Sequence, residues 1–431
     1  MLPKRNKLIE NFSQTIVRYN KSLSDPFTML PLQNKRILSF ETWGAGSFHG
    51  TLLAMLGAEV INIEDPKQNG NPLRRMGALF FDENHADNES AETTLHNKKS
   101  LALDIRTPEG KKVFHELVKN ADAVIDNFRG SLPEALGVIY TELKTVNPRI
   151  VCTHLSGYGR DNNRKSWPGY DFLMQAETGW MSVTGDPGSI PTKVGVSVVD
   201  LLGSVYSALC TVSGLLRTEI TGKGGDFDTN LFDIALNCLC YQGLWFLNEG
   251  IVPKKQPRSA HASQAPSQLV KTADGWFYVA CLTQKFWEIL CSELGDESLK
   301  KDDRFSTNED RMRHREELTK ALDSIFKKKT CAQWAEQMEG RVPCAPVYDI
   351  PQALNNPYVR KNNKIVSVPY TRSKSRKSIK FLNTPFSIGD TPPLKFQQAP
   401  LYGENTREIL FGIGLTDKEV EELYQSGVIH Y

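Results

Sequence analysis

The sequence of 431 residues lacks the residue spacings of a metal protein or a disulfide scaffold. Its 8 cysteines form no CxxC pair, and its 8 histidines show neither HExxH nor a His/Cys set at zinc spacing. A chain of this length has no need of disulfides to supplement its core. We therefore expect reduced thiols and no metal ion.

The sequence also lacks a charge excess and a long apolar run. Lys+Arg total 52 against 50 for Asp+Glu, a net charge of +2, which argues against the broad basic surface of nucleic-acid-binding proteins. No uninterrupted apolar stretch reaches the ~18 residues of a membrane span, and the first residues lack a signal-peptide core. We expect a cytoplasmic protein with no nucleic-acid or membrane partner.

Short apolar segments alternate with helical ones along the first part of the chain. After an N-terminal arm (1–30), residues 36–40, 48–56 and 59–63 read as strand, helix and strand, with a turn at Gly44-Ala-Gly46 between the first two. This is the size of a βαβ unit. Because the alternation continues to Thr153, we predict an α/β fold with a parallel, doubly wound sheet and helices on both faces.

The residue pattern changes in the second half of the sequence. We predict that the first domain extends over 31–217 and that a smaller α+β domain occupies 226–345. The tail 349–431 contains short strands, a Pro-Pro break and two helices.

Basic side chains recur where strands meet helices. Because ligands of open α/β sheets bind outside the carboxyl ends of the strands, this clustering suits a phosphorylated ligand. For any one of these residues, a solvated surface charge is an equally good interpretation. The residues are Arg74, Arg75, Lys98, Lys99, Arg106 and Arg129. A dinucleotide is a weaker alternative, because the third glycine of Gly44-Ala-Gly46-Ser-Phe-His-Gly50 falls one position late for GxGxxG.

Asp171 follows the helix-breaking segment Trp167-Pro-Gly169. By residue pattern alone, an acid in this place is an ordinary helix cap. Its neighbours Tyr170, Phe172 and Leu173 would nevertheless make a partly dry environment, in which a carboxylate becomes more nucleophilic.

Several blocks, weak singly but specific in their order and spacing, resemble the family III CoA-transferases, which share their fold with the α-methylacyl-CoA racemases. The resemblance covers about 31–431. The blocks include Leu56-Gly-Ala-Glu-Val-Ile61, Asn97-Lys-Lys-Ser-Leu-Ala-Leu-Asp104, Asp126-Asn-Phe-Arg129, Leu155-Ser-Gly-Tyr-Gly159, Gly169-Tyr-Asp171, Thr221-Gly-Lys-Gly224 and Gly403-Glu-Asn-Thr-Arg-Glu-Ile-Leu410.

The resemblance implies a large Rossmann-like domain built from both chain ends, with 349–431 as its second part, and a homodimer of interlocked rings. It implies that Asp171 is the nucleophile in CoA transfer between an acyl-CoA and a free carboxylic acid, through an aspartyl anhydride and an aspartyl-CoA thioester. Coenzyme A is then part of the substrate, and no cofactor is permanently bound. Asn97 joins the basic residues as a candidate for contacting the coenzyme.

Two features depart from the pattern of the family. The segment 258–263, where several members have a glycine-rich loop, lacks glycine and contains His261. Tyr170 stands where the racemases usually have histidine, which makes racemase-like proton transfer the weaker alternative, ahead of a catalytically silent CoA-binding protein. Tyr170 and His261 are candidate substrate contacts. Near the first turn, the candidates are Trp43, Ser47 and His49.

Overall fold

The computed structural model describes residues 29–85, 87–389, 391–392 and 394–431. Most of the predicted N-terminal arm (1–30) lies outside the described residues. The chain divides into two compact units, which are taken separately below. The first contains residues up to Tyr170 together with Val199–Ile234 and Asn363–Tyr431, and the second contains Asp171–Val198 and Ala235–Asn362.

Twelve strands are found in the described residues. They are β1 Arg36–Ser39, β2 Glu59–Glu64, β3 Lys99–Leu103, β4 Ala123–Asp126, β5 Val151–Ser156, β6 Gly225–Asn230, β7 Ser267–Lys271, β8 Trp276–Ala280, β9 Cys344–Pro346, β10 Ile365–Pro369, β11 Ser378–Leu382 and β12 Ile429–His430.

The α-helices of the described residues follow in chain order. They are α1 Trp43–Met55, α2 Glu89–Leu95, α3 Pro108–Lys119, α4 Leu132–Leu136, α5 Tyr140–Leu143, α6 Asp171–Glu177, α7 Trp180–Val183, α8 Val198–Thr221, α9 Leu231–Asn237, α10 Cys240–Glu249, α11 Gln284–Leu294, α12 Glu297–Lys301, α13 Asn308–Arg313, α14 Arg315–Phe326, α15 Cys331–Met338, α16 Ile350–Asn355, α17 Pro357–Lys361, α18 Thr406–Gly412 and α19 Asp417–Gln425. Short 3₁₀ helices span Pro66–Gln68, Pro72–Arg75, Pro257–Ser259 and Asp303–Phe305.

The first unit is built on a seven-stranded sheet of order β12-β3-β2-β1-β4-β5-β6. Every neighbouring pair is parallel except β12 and β3. Helices cover both faces, as a parallel sheet requires. This architecture confirms the predicted α/β class with a parallel sheet.

Helix α3 illustrates how the sequence builds these layers. Thr107 caps its first turn by accepting a hydrogen bond from the backbone N–H of Gly110, and Pro108 occupies the first helical position. Val113, Phe114, Leu117 and Val118 lie on one face at helical spacing and are buried in the core on one side of the sheet. A second core, with Leu52 and Leu53 of α1, lies on the other side; it is completed by residues such as Ile37, Val60, Ile125, Val151 and Leu215.

Helix α8 packs closely on the sheet of the first unit. There is no room for a side chain at Gly203, which contacts Leu231, or at Gly214, which contacts Val151 and Phe227. Of the described residues, only this helix has the length and composition of a membrane span, and 44% of its most apolar window is buried inside the protein. Because Ser, Thr and Gly residues separate the apolar residues of α8, the sequence contains no uninterrupted apolar stretch of membrane-spanning length there.

The second unit has its own core. Strands β7, β8 and β9 form an antiparallel sheet, and α11, α14 and α15 supply the buried helical residues. Its largest buried side chains include Trp287, Phe277 and Phe326. The second unit thus combines an antiparallel sheet with helices that pack against it.

The structure differs from the predicted boundaries in four places. Helix α1 begins at Trp43, so the predicted turn at Gly44-Ala-Gly46 is wrong; these small residues permit close packing of the helix start. Residues 225–234, predicted to straddle the start of the smaller domain, belong to the first unit because β6 pairs with β5. Residues 171–198, predicted in the first domain, and 349–362, predicted in the tail, group with the second unit.

Candidate functional site

A cavity of about 540 Å³ lies at the carboxyl ends of the strands in the first unit. It is lined by residues at or just after the ends of strands β1 to β6. Examples are Glu41, Glu64, Asp104, Asn127 and Ser156. This is the place where ligands of open α/β sheets bind. All of its lining residues belong to the first unit.

The first turn of α1 forms one wall of this cavity and is held by Asn127. The Asn127 amide accepts a hydrogen bond from the backbone N–H of Thr42 at 2.9 Å and donates one to the carbonyl of Thr42 at 2.7 Å. One turn on, Gly46 lies so close to the Asn127 amide that a Cβ would overlap it. Trp43, between them, has φ 59°, a left-handed conformation that is uncommon for a bulky residue.

Beneath α1 lies a buried polar network that includes two of the predicted site residues. His49 is fully buried, with Nδ1 2.6 Å from Glu41 Oε1 and Nε2 3.0 Å from the Thr211 hydroxyl. The Ser47 hydroxyl accepts a hydrogen bond from Asn71 at 3.2 Å and is also fully buried. Both side chains therefore have structural partners, and their predicted contact with substrate stays untested.

Lys98 is buried in the same network. Its ammonium donates to the carbonyl of Ser47 at 2.5 Å. Burial lowers the pKa of Lys98 to about 8, with nearby Glu41 and Glu64 opposing the shift. Lys98 thus joins β3 to α1.

Arg74 is buried against Glu64 in a bidentate ion pair, with Nε 2.9 Å and Nη2 2.6 Å from the two carboxylate oxygens. Its Nη1 donates to the carbonyl of Pro400 at 2.7 Å. Burial alone would raise the pKa of Glu64, but Arg74 holds it below the usual value. The guanidinium therefore joins the end of β2 to the C-terminal segment.

Two of the predicted basic residues line the cavity. Arg106 is held by Asp104 at 2.7 Å and by Asp65 at 2.5 Å. Arg129 is exposed, and its guanidinium makes no hydrogen bond or ion pair with the described residues. Arg129 is thus the lining cation most available to an anionic ligand.

The remaining coenzyme candidates lie outside the cavity lining. Arg75 donates to the carbonyls of Gln68 and Asn69, and Lys99 pairs with Glu59 and Glu408 on the surface. The Asn97 amide bonds the backbone of Lys395 and Gln397. The structure thus does not bring the six basic residues and Asn97 into one cluster.

Asp171 is the first residue of α6 and belongs to the second unit. It is 4% exposed, and its Oδ1 accepts a hydrogen bond of 2.6 Å from the Gln175 amide. Gln175 in turn accepts from the backbone N–H of Val194 at 2.9 Å. The preceding residue, Tyr170, lines the cavity of the first unit, and adjacent Cα atoms are about 3.8 Å apart.

His261 lies in a loop of the second unit. Its Nε2 is 3.2 Å from the Tyr241 hydroxyl, and its Nδ1 accepts from the backbone N–H of Ser263 at 3.2 Å. The imidazole is therefore part of a local hydrogen-bonded turn, and its predicted contact with substrate stays untested.

Sequence reasoning missed His154 of β5, which links three neighbouring strands of the sheet. Nδ1 lies 2.6 Å from Asp126 Oδ2 on β4, and Nε2 lies 3.0 Å from Asp226 Oδ1 on β6. Burial alone would lower the pKa of His154, but the two carboxylates raise it to about 9. No sequence spacing indicates this contact, because the three residues meet only through strand pairing.

No group of three or more His, Cys, Asp or Glu side chains in the described ranges is arranged to hold a metal ion.

Comparisons with known proteins agree over most of the chain. Residues 32–406 match the sequence model of CoA-transferase family III. An acyl-CoA transferase of Fusarium pseudograminearum is 31% identical over 89% of this chain and 85% of the relative. Succinate–glutarate CoA-transferase of Agrobacterium fabrum is 29% identical over 88% of this chain and 95% of the relative.

A solved structure is also similar. The crystal structure of a CAIB/BAIF family protein from Brucella suis matches with a TM-score of 0.76 and 30% identity, covering 89% of this chain and 100% of that one.

Proposed function

Because the chain belongs to CoA-transferase family III and is an enzyme of that transferase class, we propose that it moves CoA from an acyl-CoA to a free carboxylic acid through covalent intermediates on Asp171. One thioester and one carboxylate are present both before and after the exchange, so the reaction needs no external energy source. The curated relatives that act on succinate and glutarate make dicarboxylic acids the first substrates to test.

The mechanism begins when an Asp171 oxygen attacks the thioester carbonyl, giving an acyl-aspartyl anhydride and CoA thiolate. The thiolate then attacks the aspartyl carbonyl, which releases the first acid and leaves an aspartyl-CoA thioester. The acceptor carboxylate attacks this thioester to form a second anhydride, and the thiolate completes the transfer by attacking the acceptor's acyl carbonyl. Asp171 is regenerated.

The observation that carries the proposal is the place of Asp171 in the chain. It directly follows Tyr170, a lining residue of the cavity at the carboxyl ends of the sheet. Asp171 is 4% exposed, and Gln175 orients its carboxylate with a hydrogen bond to Oδ1. A shielded, oriented carboxylate has little hydration to lose before it attacks.

Oxyanion stabilisation is assigned to the start of α1. No side chain caps this helix, and Thr42, Trp43 and Ala45 line the cavity. Backbone N–H groups in the first turn of a helix have no partner within the helix, and we assign those of this turn to donate to the tetrahedral oxygen of each step. Arg129 is the lining cation proposed to hold an anionic group of coenzyme A.

We propose a homodimer as the working form, in the cytoplasm. Exposed apolar side chains repeat along α8 at helical spacing, and such a surface is typical of an interaction face. They are Leu201, Val205, Leu209, Leu216 and Ile220.

The test is the variant Asp171→Ala, assayed with succinyl-CoA against a panel of carboxylic acids by mass spectrometry. We expect transfer to be lost while coenzyme A still binds. In the wild-type enzyme, hydroxylamine added during turnover should convert Asp171 to a hydroxamate. Asp417→Ala is the matched control, because Asp417 is also the first residue of a helix but lies on the surface. Near-wild-type transfer by Asp171→Ala would refute the nucleophile assignment.

A further inference from the structure

We propose that Trp43 is a positioning residue that keeps water from the covalent intermediate on Asp171, an inference that rests on the proposed function. Trp43 and Tyr170 both line the cavity, and their rings meet edge to face at 6.4 Å between centroids. The rings are 39% and 43% exposed, respectively, although large aromatic side chains usually gain by burial.

The backbone of Trp43 is held in a conformation that tryptophan does not favour. Its φ of 59° lies in the left-handed region, where a side chain costs energy that the surroundings must offset. The offset comes from Asn127, whose amide bonds both backbone groups of Thr42 and which packs against Gly46. Strain that the surroundings enforce is concentrated at functional sites.

The indole of Trp43 contacts the residue that precedes the proposed nucleophile in the chain. The indole lies against Tyr170, and Tyr170 is the residue covalently joined to Asp171. The aromatic pair therefore provides an apolar wall near the chain position at which the anhydride forms. An anhydride exposed to water is lost to hydrolysis, so a wall in this place favours transfer.

The unwanted reaction is explicit. The oxygen of water attacks the acyl carbonyl of the acyl-aspartyl anhydride, and the bond between that carbonyl carbon and the Asp171 oxygen breaks. The electron pair returns to the Asp171 carboxylate, and the water releases a proton. With the thiolate formed in the preceding step, the net reaction converts acyl-CoA and water to a free acid and CoA.

The experiment measures the ratio of succinyl-CoA hydrolysis to CoA transfer, with glutarate or another acid that the wild-type enzyme accepts. We expect Trp43→Ala to raise this ratio about tenfold, the factor that corresponds to the loss of one aromatic pair. Trp43→Phe should stay close to wild type because it keeps the edge-to-face contact. Trp276→Ala is the matched control, since Trp276 is 38% exposed and lies in β8 of the second unit.

An unchanged ratio in Trp43→Ala, whether the overall rate falls or not, would overturn the inference. So would hydrolysis by Trp43→Ala that persists when Asp171→Ala is added, because water would then bypass the aspartyl intermediate. Transfer by the single variant Asp171→Ala would instead refute the proposed nucleophile. The two failures are therefore separable.

Discussion

The stability of the first unit should fall as the pH rises, because His154 is protonated between two carboxylates. Asp126 and Asp226 raise the pKa of His154 to about 9, from its ordinary value of 6.5. A group whose pKa is raised in the folded state contributes its full stability below the unfolded pKa and loses it as the pH rises through the folded pKa. The contribution of His154 is therefore present at pH 6 and declines up to about pH 9.

The size of the effect follows from the shift. A pKa raised from 6.5 to about 9 corresponds to roughly 3 kcal/mol of unfolding free energy. His154 has no exposed side-chain surface, so solvent screening reduces this value little. The replacement His154→Gln removes the charge but keeps an amide that can donate to one carboxylate.

Urea denaturation, followed by circular dichroism at pH 6, 7.5 and 9.5, provides the test. We expect the wild-type protein to be more stable than His154→Gln by roughly 3 kcal/mol at pH 6 and expect the difference to shrink towards pH 9.5. His314→Gln is the control, because the His314 side chain is 37% exposed and lies 3.7 Å from Glu317. A constant difference between wild type and His154→Gln across the pH range would refute a charged His154.

Two further predictions concern the cavity. Arg129→Ala should raise the KM for acyl-CoA about tenfold or more, with kcat little changed, because a charge-assisted contact is lost. Replacement of an exposed arginine, Arg313→Ala, should leave the KM unchanged. Steady-state kinetics that show equal effects of the two replacements would contradict the role of Arg129. Gly46→Ala should lower the free energy of unfolding by about 1–3 kcal/mol, because the added Cβ overlaps the Asn127 amide. Chemical denaturation tests this prediction, and an unchanged midpoint would count against the tight contact.

The sequence predicted the features that depend on local pattern. The alternation of apolar strands and helices gave the α/β class, and the capping signal of Thr107-Pro108 marked the start of α3. Local sequence pattern could not indicate which basic residues remain available to a ligand, because their availability depends on partners that are distant in the chain. Arg74 pairs with Glu64 and also bonds the carbonyl of Pro400, more than three hundred residues away.

The start of α1 shows a different limit of sequence reasoning. Glycines at Gly44 and Gly46 are typical of a turn, and local propensity predicts one there. Tertiary contact overrides that propensity, because Gly46 provides the space that Asn127 needs for contact with the helix. The same contact sets the conformation of Trp43, a residue that no motif singles out as strained.

Burying the polar network under α1 costs free energy, and the position of the network in the fold explains this cost. Glu41, His49, Lys98, Glu64 and Arg74 are all nearly inaccessible to solvent, and burying such groups stabilises a fold little compared with apolar packing. Their hydrogen bonds, however, have defined directions: they join the end of β1, the first two turns of α1 and the loop after β2 to one another. Apolar packing in the same place would leave α1 freer to shift along the sheet. We infer that the network fixes the first turn of α1 at the cavity wall, where small displacements of oxyanion donors would be costly to catalysis.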